Sequence, residues 1–412
     1  MLRAEMEAVG RLAGEALAAS GGLIEQTHTG IARRAFARTP ASAPARVIHD
    51  GISRAVYAGV RGGLRGAALA AGSVAARRAP TGGEPLSSRP GAALVLGALN
   101  GIYGDRVAAR TPALALEMEV RRHGVALALT PQGVRGAFPD ASSRVAVFVH
   151  GLCETDDAWR LLPLTRDRRA RPSYGSRLQR DLGYTPVHVR YNTGLHISEN
   201  GRSLARMMED LVAAWPHPVS EIVLVGHSMG GLVSRSACHY GHASGHAWVE
   251  PLRHVFCLGT PHLGAPLEKA ANVFGWSLSK LPETRGFAKV VNGRSVGIKD
   301  LRFGSCAEED WCDCEPDEFL RDRCREVPFL ETATYYFVGA TLTGGPVGSA
   351  LGDLLVRYGS ASGTGRKRRI GFEVDNGLRL LGLNHFDLLN HPAVYEQVRA
   401  WLSRAPAEAA QR

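Results

Sequence analysis

The chain has 412 residues, of which 45% are hydrophobic and 21% charged. This globular balance excludes a wholly disordered chain, a collagen, a coiled coil and a polytopic membrane protein. The formal charge is +10, and only five of the 49 basic residues are lysine; beside 48 glycines, this arginine bias reads as the mark of a GC-rich genome rather than of a partner.

At roughly 100–200 residues per domain the length allows two to four domains. Residues 1–141 carry 17 arginines, no lysine and ten acidic residues. They read as helices broken by Pro/Gly/Ser stretches at residues 38–46 and 79–91. Ile48, Ile52, Val56, Val60 and Leu64 recur every fourth position, with Arg54, Arg61 and Arg65 off that line, the pattern of an amphipathic helix. Such a basic segment can touch anionic lipid, although a solvated arginine face is the plainer reading. The start of the chain is polar and is not that of a secretory signal. The apolar run at residues 91–102 is too short to span a bilayer. The expected location is therefore cytoplasmic, with peripheral membrane contact through the N-terminal helices as an addition.

The texture changes near Arg144. Short β-branched runs at residues 145–149, 186–191, 221–225, 254–258 and 334–338 alternate with helical patterns at 201–215 and 230–240. This predicts βαβ units and a mostly parallel sheet, an α/β fold occupying residues 142–412. Residues 265–331 break the rhythm and read as an insertion placed like a lid over the sheet.

Gly226-His227-Ser228-Met229-Gly230 matches G-x-S-x-G, and so does Gly293-Arg294-Ser295-Val296-Gly297. Only Ser228 lies between a predicted strand and a small-residue helix, the context that lifts a serine oxygen out of the sheet. A serine needs a base. His385, after the predicted last strand at residues 380–384, is the preferred one; His391 is read as the cap of the helix that Pro392 opens. Asp353, between a glycine and an apolar run, is the preferred acid, with Asp375 and Asp387 as rivals. Oxyanion donors are expected from the amides of Met229 and of Leu152, since His150-Gly151-Leu152 follows an early strand. His150 itself reads as a brace for that loop.

The segments VFVHGLCETDDAW (147–159), RYNTGLHISENGR (190–202), VGHSMGGLV (225–233), LGTPHLGAPLEK (258–269), LGDLLV (351–356) and LNHFDLLNHPAVY (383–395) resemble the α/β-hydrolase superfamily. Within it they look like lipase-like and GPI-inositol-deacylase-like esterases. The resemblance spans about residues 142–403. It implies Ser228, Asp353 and His385 as the triad, with Leu152 and Met229 as oxyanion donors. In similar bacterial lipases an aspartate two residues after the histidine binds calcium. Asp387 fits that slot, but no second aspartate stands upstream of Asp353, so no metal and no cofactor is expected.

Cys306, Cys312, Cys314 and Cys324 lack the C-x2-C pairs of zinc sites. Free thiols are the default expectation and two disulfides the alternative. Arg366–Arg369 reads as a solvated basic loop, and nothing points to nucleic acid. The reading as a whole is a serine carboxylic-ester hydrolase of lipase or esterase type, acting on an ester or lipid through an acyl-enzyme on Ser228. The alternatives are an acyltransferase with the same triad, or a membrane- or granule-surface binding protein.

Overall fold

A computed structural model describes residues 1–37, 43–79, 82–160, 172–280, 284–345, 348 and 352–404. The chain runs α1 (Arg3–Ala37), α2 (Ala43–Arg77), α3 (Pro90–Arg110), β1 (Glu119–Arg122), β2 (Val125–Ala126), α4 (Pro131–Ala137), β3 (Arg144–Val149), α5 (Tyr174–Leu182), β4 (Thr185–Arg190), α6 (Ile197–Ala214), β5 (Glu221–His227), α7 (Met229–Ala243), β6 (Leu252–Leu258), α8 (Pro266–Ser279), α9 (Arg285–Asn292), α10 (Val296–Asp300), β7 (Thr334–Thr341) and β8 (Gly377–Leu381), and then a last helix, Pro392–Leu402.

Eight strands form one sheet in the order β2-β1-β4-β3-β5-β6-β7-β8. From β4 to β8 every pairing is parallel. A parallel sheet needs helices over both faces, and the period-two alternation of side chains supplies both cores. Val145, Val147 and Val149 point to one face, where Leu204 and Met208 of α6 and Leu232 and Val233 of α7 cover them. Ala146 and Phe148 point to the other, against Leu178 of α5 and Val394, Val398 and Trp401 of the last helix. These are the strand-helix alternation and doubly covered sheet expected from the sequence.

The N-terminal stretch is helical as expected through α3, but it does not stay apart from the sheet. Glu119, Val120 and Arg121 pair antiparallel with Arg190, Val189 and His188, and Val120 is fully buried. The sheet thus begins inside residues 1–141, and the expected border at residue 142 moves to before Glu119. Two further boundaries shift. The helix α2 already starts at Ala43, within the stretch read as a linker. The last strand, expected at residues 380–384, spans Gly377–Leu381 because Gly382 turns the chain at φ +76°.

α1 and α2 are 35 residues each, about 52 Å long at 1.5 Å per residue. They approach through small residues: a Cβ added at Gly10 would lie 2.8 Å from the Gly72 Cα. The aliphatic line Ile52, Val56, Val60 and Leu64 is not in that interface and faces outward. At the far side of α1, Leu23 packs against Gly286 of α9, which ties the helical pair to the insertion. No described helix is long and apolar enough to cross a membrane.

Candidate active site

Ser228 sits between β5 and α7 with φ +52° and ψ −121°, a conformation L-residues rarely adopt and one that costs about 1–3 kcal/mol. Its N–H donates to the Leu258 carbonyl at 2.8 Å, and the Gly231 N–H returns to the Ser228 carbonyl at 3.1 Å. The turn closes only because its flanks have no side chains. A Cβ at Gly226 would stand about 2.6 Å from the Gly230 carbonyl group, and one at Gly230 would collide with the Val149 and His150 carbonyl oxygens. The sequence motif is thus a steric requirement for pressing the start of α7 onto β3.

His385 follows β8 and Asp353 follows β7. His385 Nδ1 lies 2.7 Å from Asp353 Oδ2, and the His385 N–H donates to the Asp353 carbonyl at 3.2 Å. The other carboxylate oxygen, Oδ1, accepts the N–H groups of Leu355 (3.0 Å) and Val356 (2.7 Å). Both residues are buried, and His385 Nε2 has no hydrogen-bond partner among the described residues. A carboxylate at Nδ1 fixes the proton there, so Nε2 presents its lone pair. Ser228 and His385 both line one cavity of about 280 Å³.

The rest of that cavity is mostly apolar. Leu152 comes from the loop after β3, Leu355 and Val356 from the segment after Asp353, and Leu267, Ile298 and Leu301 from the insertion. The inserted residues 265–331 therefore form one wall of the cavity. The polar part of this wall is an ion-paired group. Glu268 receives Arg294 Nε and Nη2, both at 2.6 Å, and Arg302 Nη2 at 3.0 Å.

Two further polar side chains, one lining the cavity and one beside it, are likewise not among those anticipated from sequence. Glu154 accepts the Gly151 N–H at 2.7 Å, and its two oxygens lie 3.0 and 3.1 Å from His227 Nδ1. His227 Nε2 lies 3.2 Å from the His385 carbonyl oxygen. Burial disfavours charge on both groups, but their mutual attraction and hydrogen bonds outweigh it. Glu154 is held below the usual carboxylate range and His227 above the usual imidazole range. A carboxylate three residues beyond an oxyanion-loop glycine, and a histidine directly before the motif serine, were the available signals.

His150 braces the loop as expected. The Tyr191 N–H reaches its Nε2 at 3.3 Å, its Nδ1 lies 3.0 Å from the Gly151 carbonyl, and burial pushes its pKa down. The N–H groups of Leu152 and Met229 find no acceptor among the described residues. The rival residues have other work. Ser295 is fully buried, caps α10 by accepting the Ile298 N–H, and donates to the Gly101 carbonyl. His391 caps the last helix, accepting the Ala393 N–H at 3.2 Å, as anticipated. Asp387 closes a capping box with Asn384. Trp401 Nε1 donates to the Asp375 carbonyl oxygen, and Asp375 is not among the residues lining the cavity.

All seven cysteines are free thiols; Cys306 is buried and Cys312 exposed. Among the described residues no group of His, Cys, Asp or Glu is arranged to hold a metal ion. The basic run is not simply a solvated loop, because Arg368 reaches inward to the His262 and Phe303 carbonyls.

The parallel sheet, the strained serine after β5 and the Asp353–His385 pair at the ends of β7 and β8 define an α/β-hydrolase fold. Residues 140–311 match the family described as the PGAP1-like alpha/beta domain. No curated protein matches the chain by sequence. Among solved structures, the mature form of the Bacillus licheniformis lipase BlEst2 is 19% identical, with 63% of this chain and 92% of that one covered and a TM-score of 0.40. Its propeptide form is 20% identical, covers 64% of this chain and 51% of the other, and has a TM-score of 0.42. EstA from Clostridium botulinum is 13% identical, with 64% and 88% covered and a TM-score of 0.37.

Proposed function

We propose that the chain is a serine carboxylic-ester hydrolase of lipase or esterase type. The observation that carries this reading is the buried His385, tied to Asp353 at Nδ1 and unpartnered at Nε2, which lines one cavity together with Ser228. In this reading Ser228 Oγ attacks the ester carbonyl while His385 Nε2 takes its proton. Asp353 holds the Nδ1 proton and stabilises the imidazolium. The amides of Leu152 and Met229 receive the oxyanion. Collapse of the tetrahedral intermediate expels the alcohol, which takes the proton back from His385. Water then repeats the sequence on the acyl-enzyme and releases the acid. The apolar wall contributed by Leu267, Ile298, Leu301 and Val356 suits an acyl chain.

The test is hydrolysis of p-nitrophenyl esters from acetyl to palmitoyl by the wild type and Ser228→Ala, beside labelling with a fluorophosphonate. Loss of both activity and label in the variant supports the reading, and retained hydrolysis overturns it. Competition between water and an added alcohol, read from product ratios, separates hydrolysis from acyl transfer. The outward aliphatic line on α2 supports one additional role for the N-terminal helices, peripheral contact with an anionic membrane surface.

A further inference from the structure

Three separate segments meet at the site: the loop after β3 that carries Gly151 and Leu152, the turn that carries Ser228, and the loop that carries His385. Beyond the triad, one pair of side chains touches all three. Glu154 accepts the Gly151 N–H at 2.7 Å and spans His227 Nδ1 with both oxygens. His227 is the residue immediately before Ser228, and its Nε2 lies 3.2 Å from the His385 carbonyl oxygen.

The chemistry of the partners sets the protonation. A carboxylate that takes the Gly151 N–H is an acceptor, and a backbone carbonyl can only accept. Both ring nitrogens of His227 therefore face acceptors, and both bonds form only when both nitrogens carry a proton. The pair is thus a carboxylate and an imidazolium. The His227 side chain is fully buried and that of Glu154 is 10% exposed. Among the described residues no arginine or lysine bonds to Glu154, so His227 is its counter-charge. The other titratable groups around them are His150, Cys153 and Tyr191 near Glu154, and Asp353 and His385 near His227.

Resting on the hydrolase reading above, we propose that the Glu154–His227 ion pair is a positioning clasp that sets the oxyanion loop and the His385 loop in register with Ser228. Glu154 binds the Gly151 N–H, which removes that amide as an oxyanion donor and turns the next one, Leu152, toward the cavity. His227 holds the His385 carbonyl, while Asp353 holds the N–H of the same residue. Neither residue exchanges a proton with substrate. A single charged pair thus couples the placement of the oxyanion donors to that of the general base, and loosening it degrades the transition state more than substrate binding.

The experiment compares the wild type, Glu154→Gln and Glu154→Ala as full-length chains, with rates divided by the concentration of Ser228 titrated by a fluorophosphonate. This normalisation removes any loss due to misfolded protein. The glutamine variant keeps an acceptor for Gly151 without the charge, and its kcat per titrated site should fall about tenfold. The alanine variant loses the acceptor as well and should fall about 10²–10³-fold, the scale of a lost oxyanion donor. KM should stay within about threefold for both. Unchanged kcat per titrated site in the glutamine variant, or a change confined to KM, overturns the clasp. A wild type that neither hydrolyses esters nor takes the phosphonate on Ser228 overturns the hydrolase reading, and the clasp with it.

Discussion

His385 is joined to Asp353 twice, side chain to side chain at 2.7 Å and backbone N–H to backbone carbonyl at 3.2 Å. The second bond fixes the height of the imidazole above the sheet, and the first fixes its tautomer. Asp353→Asn keeps the shape but offers an amide where a carboxylate stood, so the ring can present a proton toward Ser228 instead of a lone pair. We expect kcat for a p-nitrophenyl ester to drop about 10³–10⁴-fold with little change in melting temperature. A loss below tenfold would assign the orienting carboxylate elsewhere.

The turn that carries Ser228 is intolerant of side chains. Gly230→Ala brings a methyl group onto the carbonyls of Val149, the last residue of β3, and His150, which follows it. Backbone there has little room to give, and we expect a loss of about 2–4 kcal/mol in urea unfolding. Gly183→Ala is the control. No atom surrounds that site, so only the strain of its φ of +71° is felt, a cost near 1 kcal/mol.

The clasp also has a pH signature in stability. His227 is raised above its unfolded value near 6.5, so its contribution is complete below about pH 6.5 and is lost as pH rises through the raised value. Glu154 is lowered below its unfolded value near 4.3, so its contribution is present above about pH 4.3 and is lost as pH falls through the lowered value. The stability gap between wild type and Glu154→Gln should therefore be widest between about pH 4.5 and 6.5 and narrow by pH 9.5. Urea melts at three pH values measure this, and a gap independent of pH means that the pair is uncharged.

Acid should weaken the fold through two other histidines. Burial pushes His188 and His254 down to about 4. The unfolded chain binds those protons from about pH 6.5 downward, so stability falls between about pH 6.5 and 4, by on the order of 3 kcal/mol per histidine. His188→Gln should flatten that limb of a melting-temperature profile. The same slope in wild type and variant would remove His188 as a cause.

The outward face of α2 gives a direct assay. Ile52, Val56 and Val60 are each more than half exposed, and replacing all three by serine leaves the cavity untouched. Sedimentation with vesicles containing anionic lipid should fall severalfold, while hydrolysis of a soluble ester stays unchanged. Equal sedimentation of the two proteins would discard the membrane role.

What the sequence revealed and what it hid follow from the range of the interactions. The central strands and the elbow were legible because β-branched runs and the Gly226–Gly230 spacing are local signals. Ser228, Asp353 and His385, singled out separately, lie where the structure joins Asp353 to His385 and opens one cavity onto His385 and Ser228. The pairing of Glu119–Arg122 with β4 was not legible, since four residues of mixed polarity declare themselves a strand only beside a partner. Glu154 was hidden for a similar reason: its role depends on His227, 73 positions away. The aliphatic line of α2 was legible as an amphipathic pattern, but that the helix docks on α1 through glycine and alanine instead was not, since small residues carry no periodic signal.

The elbow and the loop after β3 are in backbone contact, since Gly230 lies against the carbonyls of Val149 and His150. Ser228 and the amides of Leu152 and Met229, the nucleophile and oxyanion donors of the proposed reaction, are therefore parts of one closely packed block. Residues of the insertion such as Leu267, Ile298 and Leu301 face the same cavity from outside that block. Mutation can remodel this apolar wall, the acyl site of the proposed reaction, without moving Ser228 or His385. Changes in substrate preference should accumulate between residues 265 and 301, while the segment from Gly226 to Gly231 admits almost none.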